Sequence, residues 1–163
     1  MAGIDEIHAQ AVRWIKEAGQ RITQSFETIL DIETKSSMND LVTNMDKDVE
    51  HFFIERIAER FPDHIVLGEE GAGHDLEELK GVVWIIDPID GTMNFVHQQR
   101  NFAISIGIVE NGVGKIGLIY DVVHDELYHC IRGEGAFQNE KRIEPMKEAK
   151  LEESIVGLNA IWL

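Results

Sequence analysis

The stretch Val82-Val83-Trp84-Ile85-Ile86-Asp87-Pro88-Ile89-Asp90-Gly91-Thr92 decides the fold. Its first five residues are branched or aromatic, follow a glycine and stop at an acid, the pattern of a short buried strand. That strand delivers two carboxylates around a proline, followed by a glycine and a threonine. Pro88 restricts Asp87 to an extended conformation, Gly91 lets backbone approach a ligand closely, and a helical turn beginning near Thr92 would aim free amides at an anion. Two aspartates with an intervening carbonyl suit a hard, oxygen-loving cation such as magnesium. The plainer alternative is a strand end with Asp90 in an ordinary turn and Thr92 as a helix cap.

Upstream, Ile65-Val66-Leu67 is a second short apolar run, and it leads into Gly68-Glu69-Glu70-Gly71. If the two strands lie side by side, four acids meet in one place and need cations; taken alone, a Glu-Glu pair between glycines is a hydrophilic turn. Further upstream the period changes. Ile4, Ile7, Ala11, Trp14, Ile15, Ala18, Ile22, Phe26 and Ile29 recur at helical spacing and predict one long amphipathic helix. Val49, Phe52, Phe53, Ile57 and Phe61 restart the pattern and Pro62 stops it, predicting a second helix. The polar residues 31–40 between them read as a mobile flap. Asp40-Leu41-Val42-Thr43-Asn44-Met45-Asp46 then enters the second helix, with Thr43 or Asn44 as its cap and Asp46 favoured by the positive helix end.

Downstream, residues 102–109, 113–123 and 126–131 read as strands joined by Asn111-Gly112 and His124-Asp125, an antiparallel meander. The fold class is therefore α/β in the α+β sense, with two N-terminal helices packed on a mainly antiparallel sheet. Residues 1–150 form one such domain. The apolar run Ser154-Ile155-Val156-Gly157-Leu158-Asn159-Ala160-Ile161-Trp162-Leu163 reads as the first strand of something that follows, so 151–163 is taken as the start of a further domain.

Composition narrows the function. The 163 residues are 44% hydrophobic and 28% charged, which suits a globular domain. A net charge of -15 opposes binding to a phosphate backbone or an anionic membrane, and no apolar stretch approaches the roughly 18 residues of a membrane span. The beginning of the chain lacks signal-peptide character and Cys130 is the only cysteine, so a cytoplasmic setting is expected, with Cys130 a buried structural thiol. Three features read as decoys. Gly112-Val113-Gly114-Lys115-Ile116-Gly117 matches a dinucleotide fingerprint but precedes a strand, where the fingerprint needs a helix. His97, His124 and His129 show no zinc spacing. Phe95, Phe102 and Tyr120 read as core more readily than as a stacking surface.

Taken together, Asp40-Leu41-Val42-Thr43 with Asp46, Gly68-Glu69-Glu70, and Trp84 through Thr92 continuing into Asn94-Phe95-Val96-His97 resemble, in order and approximate spacing, the inositol monophosphatase family. These are magnesium-dependent, lithium-sensitive phosphatases related to fructose-1,6-bisphosphatase. The resemblance implies a layered αβ sandwich of the sugar-phosphatase type. It makes Glu69, Asp87 and the carbonyl of Ile89 ligands of one Mg2+, and Asp87 and Asp90 ligands of a second, with Glu69 able to touch a third and Mn2+ able to substitute. It puts Glu70 in the surrounding polar shell. Thr92 paired with Asp46 would orient and help deprotonate the attacking water, the amides of Gly91 and Thr92 would hold the substrate phosphate, Asp90 would contact the substrate, and Lys35 would sit in the flap near the metals. The implied activity is hydrolysis of inositol monophosphate or a similar small sugar or polyol phosphate, by an enzyme that is commonly a homodimer.

One departure stands out. The family's second aspartate motif, Trp-Asp followed by small residues, is missing here: the three tryptophans precede Ile15, Ile85 and Leu163. That aspartate completes the second metal site, so the chain is expected to resemble the N-terminal half alone and to turn over weakly or not at all unless another chain completes the site. The alternative is a non-catalytic, cation-binding assembly half.

Overall fold

A computed structural model describes residues 3–27, 32–34, 41–71, 80–145, 150 and 152. Helix α1 (Ile4–Ser25) buries Ile7, Ala11, Trp14, Ile15, Ala18 and Ile22, a stripe at three- and four-residue intervals, and carries Asp5 and Glu6 in its first turn where the helix dipole favours acids. It ends at Ser25 with Phe26 as its C-terminal cap, and Ile29 lies outside the described residues. Within the polar stretch 31–40, β1 (Ile32–Thr34) is strand and pairs antiparallel with β2 (Leu41–Thr43). Lys35 and Asp40 lie outside the described residues.

Helix α2 (Asn44–Arg60) begins at Thr43 with a capping box, and Phe61 and Pro62 end it as the sequence predicts. It buries Met45, Val49, Phe52, Phe53 and Ile57. The two helices are tied at their surface by Arg56 to Glu17 at 3.1 Å and by Arg60 to Glu6. Exposed pairs of this kind contribute little, and the shared apolar core holds the layer together.

That core lies between the helices and one face of a seven-stranded sheet ordered β3-β4-β5-β6-β7-β8-β9. The strands are β3 (Ile65–Gly68), β4 (Val82–Asp90), β5 (Ala103–Glu110), β6 (Val113–Asp121), β7 (Glu126–Ile131), β8 (Gly135–Gln138) and β9 (Lys141–Arg142). β3 and β4 run parallel and every other neighbouring pair is antiparallel. β8 and β9 are too short and too polar for their alternation to stand out in the sequence. Alternation sends Trp84, Ile86, Ile104, Ile106, Ile108, Leu118, Tyr120 and Leu127 into the core. Trp84 is fully buried and satisfies its indole N–H by donating to His64 Nδ1 at 3.0 Å.

The same alternation turns Ile85, Ile119 and Tyr128 outward, where they are exposed. Cys130 shares that outer face beside Gly117 and is half-buried, which corrects the expectation of a buried thiol. Phe95, Phe102 and Tyr120 are core. The glycine-rich decoy opens on a hairpin: Asn111 and Gly112 both have positive φ, 50° and 79°, as a two-residue turn with right-handed strand twist requires. No helix among the described residues is long and apolar enough to cross a membrane.

Candidate active site

β4 continues as strand through the whole acidic motif to Asp90, beyond the apolar run. Its pairing with β5 shifts register between Asp87 and Asp90, a bulge that accommodates Pro88, which has no N–H to give the ladder. The bulge closes locally, with the Ile89 N–H donating to Asp87 Oδ1 at 3.2 Å. Gly91 then takes a left-handed conformation, φ 93° and ψ 40°, and caps α3 (Thr92–Gln98). Its carbonyl accepts from the amides of Asn94 and Phe95, and buried Phe95 pins the helix to the core. Gly91 occupies the cap position, and Thr92 makes no side-chain cap. The threonine hydroxyl is thus available for other work.

The parallel register of β3 on β4 pairs Gly68 with Ile86, and the Glu69 N–H donates to the Ile86 carbonyl at 3.2 Å. The Glu69-Glu70 turn therefore emerges level with Asp87. Burial, the neighbouring Glu69 charge, a side-chain hydrogen bond with Glu69 and the Asp90 charge together push the Asp87 carboxyl up to about 7, against a small opposing effect of the Ile89 amide. Crowded carboxylates relieve their repulsion by holding a proton or by holding a cation. The side chains of Glu69, Asp87 and Asp90 and the Ile89 carbonyl offer oxygen donors only, a chemistry that would suit Mg2+ or Mn2+ and not a thiolate- or imidazole-loving metal. Among the described residues no three His, Cys, Asp or Glu side chains already converge as a finished coordination sphere. A cation would have to draw these carboxylates inward.

Across from this group lies Asp46, in the first turn of α2 and only 2% exposed. Its Oδ2 accepts from the Thr43 N–H at 2.9 Å and the Thr43 hydroxyl at 2.5 Å, while Oδ1 accepts from the Thr92 hydroxyl at 3.1 Å. Burial pushes the Asp46 carboxyl up and these hydrogen bonds draw it back, with burial the larger. The Thr92 oxygen also lies 3.0 Å from the Ile89 carbonyl, and one hydroxyl proton serves one acceptor at a time. With that proton on Asp46, the Thr92 oxygen presents lone pairs to a neighbouring water. Asp46 is therefore both helix cap and partner of Thr92.

The structure thus joins Asp46 with Thr92, and Glu69 with Asp87 and Asp90, through the continuous segment 87–92. Glu70 is half-buried beside them. The Glu70 N–H donates to Glu50 Oε2 at 2.7 Å, a contact the sequence reading missed. The only local signal for Glu50 was its position four residues after Asp46 on one helix, which places both on one face.

Comparison with known proteins fits this geometry. The family model described as the inositol monophosphatase family matches residues 4–160. The inositol-1-monophosphatase of Bacillus subtilis is 67% identical over 160 residues, covering 98% of this chain and 59% of the relative. A crystal structure of a staphylococcal IMPase-II with inositol monophosphate bound superposes with a TM-score of 0.83 at 45% identity, over 96% of this chain and 56% of that one. The crystal structure of an IMPase/NADP phosphatase complexed with Mg2+ and phosphate superposes with a TM-score of 0.88 at 37% identity, over 97% of this chain and 60% of that one. The chain thus spans a little over half the length of these relatives. With the order of motifs, the mixed sheet and the matched span all in agreement, the chain belongs to the inositol monophosphatase family.

Proposed function

We propose that this chain carries the cation-binding and water-activating part of a magnesium-dependent phosphomonoesterase that acts in the cytoplasm on inositol monophosphate or a similar small polyol or sugar phosphate. The observation that carries the reading is the Thr92–Asp46 hydrogen bond set beside the crowded Glu69–Asp87 carboxylates. Glu69, Asp87, Asp90 and the Ile89 carbonyl would hold the ions, two or three in number. Bound there, the cations would polarise the phosphoryl group, acidify a water and offset charge on the leaving oxygen.

The chain's own residues supply the rest. Asp46 receives the Thr92 proton, which fixes the hydroxyl and leaves its oxygen to accept a proton from the attacking water. The amides of Gly91 and Thr92 would hold the substrate phosphate, Asp90 would contact the substrate, and Glu70 completes the polar shell; Lys35, assigned to the flap by the resemblance, lies outside the described residues. An anionic substrate is compatible with so acidic a chain because bound cations invert the local charge. The names of the relatives support the substrate class: one was crystallised with inositol monophosphate, and another is an IMPase/NADP phosphatase crystallised with Mg2+ and phosphate.

The second reading is a cation-binding assembly half without turnover, and the observation behind it is that these 163 residues contain no Trp-Asp pair.

Calorimetric titration of Mn2+ into the wild type and Asp87→Asn, with inositol monophosphate hydrolysis followed in the same samples, tests both. Saturable binding lost in the variant is expected, and phosphate release then separates enzyme from assembly half. Equal binding heats in the two folded proteins would sink the metal assignment.

A further inference from the structure

We propose that Glu50 is a positioning residue for the Glu69-Glu70 turn, and that residue 68 is glycine because the Glu50 carboxylate needs its space. The proposal rests on the reading of Glu69 as a cation ligand. Glu50 lies inside α2, is 5% exposed and accepts the Glu70 N–H at 2.7 Å, a charge-assisted hydrogen bond to the backbone of the turn itself. A Cβ built on Gly68 would lie 2.2 Å from Glu50 Oε2, 2.3 Å from Cδ and 2.8 Å from Oε1. Gly68 is not among the residues with positive φ, so its backbone does not ask for glycine. Space does.

Asp46 and Glu50 are four residues apart on one helix, and both are buried. The first carboxylate holds Thr92 and the second holds Glu70, so α2 acts as a rigid jig that sets the β3 turn and the start of α3 at a fixed separation. A ligand such as Glu69, on a turn between two glycines, gains its fixed position from the neighbouring amide clamp. Outer groups that orient ligands in this way typically account for about 10- to 100-fold of metal affinity.

The test uses Glu50→Ala, Glu50→Gln, Gly68→Ala and the double variant. It reads Mn2+ affinity by calorimetry, hydrogen exchange of the Glu70 amide by NMR, and melting temperature. Glu50→Ala is expected to speed exchange at Glu70 and weaken Mn2+ binding about 10- to 100-fold. Glu50→Gln keeps an oxygen acceptor and is expected to retain most of the affinity and protection. In Gly68→Ala the new methyl meets the end of a flexible side chain, so the fold survives and the displaced carboxylate gives the Glu50→Ala phenotype. The double variant is expected to be no worse than either single one, because alanine at 50 leaves room for the methyl.

Wild-type Mn2+ affinity in folded Glu50→Ala, or wild-type exchange and affinity in Gly68→Ala, overturns the proposal. If Glu50→Ala does not fold, Gly68→Ala carries the test. Failure of the underlying reading looks different: the wild type then binds no Mn2+, or Asp87→Asn binds it equally well, and the part of the proposal that concerns cation affinity falls with it. The Glu70 exchange rates still decide whether Glu50 clamps the turn.

Discussion

Asp87 holds its proton up to about pH 7 in the cation-free protein, whereas an unfolded aspartate loses it near 3.8. Between those values the folded state binds more protons than the unfolded state, so stability from this group is full below the lower value and is lost as pH rises through the upper one. The expected result is a melting-temperature advantage of Asp87→Asn over wild type that grows from pH 4.5 to pH 7.5 in chelator, because the amide cannot ionise. A gap that is flat or shrinks over that range would contradict the raised value. Asp87 was legible in the sequence because its context is local: a strand, a proline and a second acid lie within a few residues. Thr92 was legible for the same reason. Glu50 was not, because its partner amide is 20 residues away along the chain and its helix reads as an ordinary amphipathic one.

At the scale of elements, the junction between β4 and α3 turns on one residue. Gly91 has φ 93°, and a Cβ there would approach the Asn101 carbonyl oxygen to 3.2 Å. Gly91→Ala therefore combines backbone strain with a close contact against main chain that cannot swing aside, and is expected to cost on the order of 1–3 kcal/mol in urea denaturation. Gly112→Ala shares the positive φ but points its Cβ into open space, so it should cost less, about 1–2 kcal/mol. Equal losses would mean that the contact with Asn101 contributes nothing. The sequence made the long elements plain, since α1 and α2 carry period-3.6 patterns, β4 opens on a continuous apolar run and β5 to β7 alternate. The hairpin of β1 and β2 and the short strands β8 and β9 were obscured because two to four residues hold too little pattern to separate strand from polar loop. The parallel pairing of β3 with β4 is a tertiary fact that no local period encodes, and it decides which acids meet.

At the scale of the whole molecule, a net charge of -15 makes every cation stabilising to some degree, through screening of self-repulsion. A specific cation site adds a linkage effect with a different signature: it saturates, it depends on the ion, and it disappears with its ligands. At about 100 times the dissociation constant that effect is roughly 2.7 kcal/mol. For a domain of this size it should raise the melting temperature by roughly 5–11 °C. Mn2+ or Mg2+ added to wild type is therefore expected to give a saturable rise of that order beyond a NaCl control of matched ionic strength. Ca2+ should act more weakly, since it needs a larger and more open oxygen shell than carboxylates clustered around one bulge provide. Asp87→Asn should show the screening contribution alone. An identical rise in wild type and variant, or one reproduced by NaCl, would mean that the carboxylates of β4 and of the turn after β3 act only as diffuse surface charge. The fold would then stand, but its acidic end would hold protons in place of metal ions.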